Sequence, residues 1–137
     1  MTAKRTSKDP KWVELRKAVR RRDGSCRLVR ILSPKDFLIL QRIAGSLMSR
    51  CDPAHVFGVG PYPHMCYNQK NVVLLNRYSH ECLDSCRDPI RGTPISREER
   101  DEWWKKIVGE ELYECLEKEA YSRGDKYGAV QEEASND

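Results

Sequence analysis

Two short stretches set the limits on what this chain can build. Residues 71–75, Asn71-Val72-Val73-Leu74-Leu75, are a compact apolar run of strand type. Residues 51–56 read as a second, short extended segment, and the stretch between them, residues 57–69, holds three Gly/Pro turn signals that make it a loop. Around this pair the chain carries helix signals. The expected class is therefore α+β, a small hairpin surrounded by additional α-helices.

The helix signals are local and chemical. Asp9-Pro10 reads as an N-cap followed by Pro at the first helical position, and Trp12, Leu15 and Val19 then fall on one face. Asp23-Gly24 ends that helix. Residues 26–31 alternate weakly and suggest a short strand. Ser33-Pro34-Lys35-Asp36 opens an apolar helix expected to run to about Met48. A further helix is expected from about Arg77 to Cys86, stopped by Arg87-Asp88-Pro89. Ser96-Arg97-Glu98-Glu99 is a capping box, and the helix it starts should bury Trp103, Trp104, Ile107 and Val108. Gly109 should break or bend it before a last helical piece ending near Tyr121. These elements make one domain over residues 9–122, preceded by a flexible basic arm at 1–8 and followed by a disordered acidic tail at 123–137.

Charge is unevenly spread. Residues 1–50 carry 14 Lys/Arg against 4 Asp/Glu, whereas residues 51–137 carry 11 against 17. A basic N-terminal third suits a phosphate-binding surface, since each neutralised phosphate releases counterions, although a solvated helix face reads the same way in isolation. Arg20, Arg21 and Arg22 are the densest cluster. The longest apolar patches, such as Phe37-Leu38-Ile39-Leu40, are too short to span a bilayer, and the N-terminus lacks the apolar core of a secretion signal. A cytoplasmic location follows by default. In that setting the six cysteines (26, 51, 66, 82, 86 and 115) are expected as thiols or metal ligands, and no Cys-x-x-Cys pair occurs among them.

The chemistry-bearing groups lie in residues 52–84. His55 closes the first extended segment, Asn71 opens the second, and His80 sits on the helix that follows. Phosphodiester hydrolysis needs a base to activate water, a cation to stabilise charge on the phosphate, and a scaffold that aligns them. A neutral His suits the first task, and a second His with a carboxylate suits the cation. Asp84 lies four residues after His80, so both share one helix face. Asp52, three residues before His55, points to the opposite face of an extended strand, together with Ala54.

This pattern resembles the HNH nucleases, whose ββα-metal fold is a two-stranded hairpin crossed by a helix around one divalent cation. The flanking Arg22-Asp23-Gly24-Ser25-Cys26 and the segment from Glu102 through Trp103 and Trp104 to Gly109 are also similar to phage-borne members. The resemblance implies a metal-dependent DNA endonuclease in which His55 is the general base, Asn71 holds the loop that orients it, and His80 binds the metal. It implies Mg²⁺ or Mn²⁺ as the ion, with Zn²⁺, Ni²⁺ or Co²⁺ also admitted by a His ligand. The other reading of the same scaffold is a non-catalytic nucleic-acid-binding module.

The sequence departs from the family in two places. Ala54 stands where many relatives carry a metal-binding Asp, which leaves Asp52 or Asp84 to supply the carboxylate; Asp52 is about 6–7 Å further along an ideal strand. Asn76, Ser79 and Val29 stand where relatives carry zinc-ribbon cysteines, so a structural zinc is not expected. Cys26, Cys51, Cys82 and Cys86 read either as small core residues or as a replacement zinc set. His64 suits a turn and is a spare candidate ligand. Lys70 and Arg77 flank the motif as candidate phosphate contacts, with Arg20, Arg21 and Arg22. Trp103 and Trp104 suit packing better than base stacking.

Overall fold

A computed structural model describes residues 9–122 of the chain; the expected arm and tail lie outside the described residues. Within them are five α-helices and one two-stranded antiparallel sheet, a mixed α and β architecture. No helix in this range is long and apolar enough to cross a membrane.

Strand β2 (Val72–Asn76) is the centre of the structure, and every one of its residues is buried. It pairs antiparallel with β1 (Cys51–His55) in the register Cys51 to Asn76 through His55 to Val72. Burial on both faces explains why β2 reads as an unbroken apolar run and not as an alternating one. Val72 and Leu74 face helix α1 (Pro10–Asp23) and pack against Trp12, Leu15 and Val19. Val73 and Leu75 face the larger core, with Leu28, Leu40, Leu83, Trp104 and Leu116. Each such fully buried aliphatic chain contributes about 1.5–3 kcal/mol relative to exposure.

Residues 26–31 do not form the expected strand; residues Leu28–Ile31 are a 3-10 turn. The reason lies at the outer edge of β2, where one backbone group from this segment, the Arg27 N–H, reaches the Leu74 carbonyl at 2.8 Å. The other edge groups are taken by side chains. Asp23 accepts from the Leu74 N–H, Arg22 donates to the Val72 carbonyl, and the Cys26 sulfur accepts from the Asn76 N–H. With its edge satisfied in this way β2 needs no third strand. Asp23 is 4% exposed and also pairs with Arg22 and Arg27. Burial opposes its charge, but the hydrogen bonds from Arg22 and Leu74 outweigh that and hold its carboxyl below the ordinary value.

The caps that the sequence announces are formed. Asp9 accepts from the Lys11 N–H, Ser33 caps α2 (Pro34–Ala44), and Ser96 with Glu99 makes a reciprocal capping box on α4 (Arg97–Val108). Helix α2 stops earlier than expected, at Gly45, and the chain continues as a 3-10 turn over Gly45–Ser49. Gly109, at φ 96°, separates α4 from α5 (Glu110–Ser122). Trp104 is buried in the core, while Trp103 is half-buried under the Lys106 ammonium, 5.3 Å from its ring centre.

Helix α3 (Arg77–Asp84) follows β2 directly and packs on both strands. Asn76 caps it through Ser79 N–H. Its end is a Schellman motif: the Arg87 N–H bonds the Cys82 carbonyl and the Cys86 N–H bonds the Leu83 carbonyl. Cys86 takes the left-handed position in that motif, at φ 54°, where glycine is the usual residue.

Candidate active site

His55 is the last residue of β1, and its ring is fixed on two sides. It stacks on Trp12 of α1 with ring centres 5.5 Å apart and planes 17° apart. Its Nε2 lies 3.0 Å from the Cys66 carbonyl. A carbonyl can only accept, so Nε2 carries the proton and Nδ1 is the basic nitrogen of the neutral ring. Cys66 gave no signal in the sequence, because it acts through its backbone.

The position of Cys66 depends on Asn71. This residue is not the first of β2 but sits in the 3-10 turn Gln69–Asn71 just before it, completely buried. Its side-chain oxygen accepts from the Phe57 N–H at 2.8 Å. Its amide donates to the carbonyls of Phe57 at 3.0 Å and Met65 at 3.2 Å. One side chain therefore closes both ends of the loop that leaves His55 and returns through Met65 and Cys66. A buried amide with its acceptor and both its donor hydrogens used is a fully satisfied staple.

His80, Asp52 and Asp84 come together at the corner between β1 and α3. Asp52 and His55 do lie on opposite faces of β1, and the pairing register runs unbroken through Pro53, so proline does not rotate Asp52 toward His55. Asp52 Oδ2 is 3.6 Å from His80 Nδ1, whereas Asp84 Oδ2 is 3.3 Å from His80 Nε2. The two carboxylates thus address opposite nitrogens of one ring. Asp52 is also gripped by both arms of the Arg77 guanidinium, at 3.0 and 3.1 Å. Partial burial disfavours its charge, yet the bonds and charge of Arg77, with His80 beside them, outweigh this and keep the Asp52 carboxyl below its ordinary value.

The donor set at His80 Nε2 fits a small divalent cation. Two ligands of an octahedral ion bonded at about 2.1 Å stand about 3 Å apart, close to the spacing of Nε2 and the Asp84 oxygen. Among the described residues no three His, Cys, Asp or Glu side chains are grouped to hold an ion by themselves. A Mg²⁺-like ion keeps several waters and is completed by substrate phosphates, so His80 and Asp84 would supply only part of its shell. Asp52, on Nδ1, is placed to orient the ring from behind.

His55 and Asp84 line the same cleft, of about 630 Å³, together with residues of α4 and α5. Arg97 and Arg100 stand on its wall, a pair not singled out in the sequence because they lie far along the chain from the motif. Their spacing of three on a helix was the available signal.

The other predicted residues sit elsewhere. Arg20, Arg21 and Arg22 form the last turn of α1; Arg20 bonds the Cys51 carbonyl at 3.3 Å, and Arg22 is a strap to Asp23, Gln69 and Val72. Lys70 is exposed beside that strap. Arg77 is committed to Asp52. His64 Nε2 donates to the Glu119 carbonyl, 3.0 Å away, and serves the contact with α5. All of the cysteines are free; Cys26 holds Asn76, and burial raises the thiol pKa values of Cys51 and Cys82. No family model, curated protein or solved structure gives a match to this chain.

Proposed function

We propose that the chain is a metal-dependent DNA endonuclease of the HNH type, with β1, β2 and α3 as its ββα-metal core. The observation that carries this reading is the Asn71 staple. A buried asparagine holds the loop whose Cys66 carbonyl fixes the tautomer of His55, which is the arrangement a positioned general base requires.

In this reading His55, through Nδ1, takes a proton from the water that attacks phosphorus in line. His80 and Asp84 hold the divalent cation, and Asp52 orients the His80 ring. The ion supplies charge stabilisation at the phosphate and the leaving 3′ oxygen. Products then carry 5′-phosphate and 3′-hydroxyl ends. Arg21 and Lys70 are placed to track the backbone without reading bases, so sequence selectivity is low. Nicking needs one copy of the chain, and double-strand cutting favours two.

Two observations favour the second reading, a nucleic-acid-binding module on a decayed scaffold: Arg77 already neutralises Asp52, and position 54, next to His55, is Ala and not a carboxylate. The test is conversion of supercoiled plasmid to open-circular or linear form. The nuclease reading expects it with Mg²⁺ or Mn²⁺ and not with EDTA. DNA binding with no conversion under any of these ions supports the second reading instead.

A further inference from the structure

Most arginines near the candidate site are used by the fold. Arg22, Arg27 and Arg77 have their guanidinium groups in ion pairs with Asp23 or Asp52. Arg97 and Arg100 differ. They lie one turn apart at the start of α4, on the wall of the cleft that His55 and Asp84 share, and neither guanidinium makes a hydrogen bond or ion pair among the described residues. Two uncommitted guanidinium groups beside a candidate base call for an anionic ligand with phosphate-like geometry.

The same cleft is also lined by aromatic residues. Tyr62 and Tyr121 line it with ring centres 5.9 Å apart, and Tyr121 is 57% exposed even though its edge rests on Phe57. A large aromatic face left open at the mouth of a charged cleft suits stacking against a flat ring. Asp101, also on the wall, disfavours a second phosphate there. The cleft's volume of about 630 Å³ is that of a small-ligand site.

Resting on the nuclease reading of this cleft, we infer that its substrate is an unpaired strand, with Arg97 and Arg100 holding a phosphate and Tyr121, backed by Tyr62, stacking the adjacent base. In a duplex both faces of each base are covered by neighbours, so only an unpaired or extruded base presents a face to Tyr121. Arg97 and Arg100 are thus binding residues, and Tyr121 is the residue that selects for strand state.

The experiment is binding of a fluorescent oligonucleotide to the full chain in EDTA, single-stranded and as duplex of the same sequence, followed by anisotropy over a range of salt. The single strand should bind more tightly. Tyr121→Leu should weaken single-strand binding roughly 5- to 100-fold while leaving duplex binding and the salt slope unchanged, and Tyr121→Phe should retain it. Arg97→Ala with Arg100→Ala, which frees one phosphate, should weaken both and lower the single-strand salt slope by about 0.7. Far-UV circular dichroism checks that each variant is folded; Arg97, Arg100 and Tyr121 are not core residues. Equal affinity for both forms, or full single-strand affinity in Tyr121→Leu, would overturn the inference. Ion-dependent cutting of single-stranded and duplex DNA at equal rates, with equal affinity for both, would sink this inference and spare the nuclease reading. Strand-selective binding lowered in Tyr121→Leu, with no cutting of either form, would sink the nuclease reading and leave only the single-strand binding site.

Discussion

Replacing Asn71 with alanine removes one accepted and two donated hydrogen bonds from a site with no exposure at all. Three such bonds contribute about 0.5–1.5 kcal/mol each, and leaving the Phe57 N–H without a partner costs about 1–3 kcal/mol more. Partial entry of water recovers some of this, so the expected loss is about 3–5 kcal/mol. Against a total stability of about 5–15 kcal/mol that is a large fraction. Urea unfolding should show the midpoint falling by about 1–3 M, and hydrogen exchange should show the Phe57 amide losing its protection. Asn71→Asp keeps the acceptor for Phe57 but turns a charge toward two carbonyls. Its folded pKa is therefore raised, and its stability deficit should shrink as pH falls. A loss below about 1 kcal/mol in Asn71→Ala, with Phe57 still protected, would refute the staple.

Three further outcomes follow from other positions. Cys86→Gly should stabilise the fold by up to about 1 kcal/mol in the same denaturation assay, because glycine occupies the left-handed position of the Schellman motif without strain; a loss would mean the thiol's contacts outweigh the strain. Asp23 has a folded pKa depressed below 3.8, so its contribution is complete above that value and is lost as pH falls through the lower folded one. Asp23→Asn should accordingly be less stable near neutrality and lose less on acidification, and parallel pH profiles for the two proteins would contradict this. Mn²⁺ titration followed by electron paramagnetic resonance should weaken severely in Asp84→Asn and about 10- to 100-fold in Asp52→Asn, as an orienting partner would. The reverse order would move the ion to the Nδ1 side of His80.

What the sequence revealed was what local chemistry determines. Asp9-Pro10, Ser33-Pro34 and the Ser96–Glu99 box each carry the donor and acceptor pattern of a helix start within four residues, and each forms as expected. The Asn71–Leu75 run marked the central strand to within one residue. Residues 26–31 misled because their role is set by β2, whose edge takes side chains of Arg22, Asp23 and Cys26 in place of a backbone ladder. The end of α3 was hidden because Cys86 holds a conformation that only glycine or asparagine advertises. At the site, His55, Asn71, His80 and Asp84 were visible as residue types at spacings. The partner carbonyl of Cys66, the claim of Arg77 on Asp52 and the arrival of Arg97 and Arg100 all depend on contacts between distant segments, which no local pattern records.

In the proposed mechanism His55, held by Cys66 and Asn71, activates water for phosphodiester hydrolysis. Single-turnover cleavage of single-stranded DNA and of supercoiled plasmid in Mn²⁺ by the wild-type chain and by His55→Ala tests this step. Ion-dependent cutting that EDTA abolishes is expected, with a rate lowered about 10²- to 10⁴-fold in His55→Ala and the variant's fold intact by circular dichroism. Cutting at the wild-type rate by His55→Ala, or none by the wild type with any divalent ion, would contradict it.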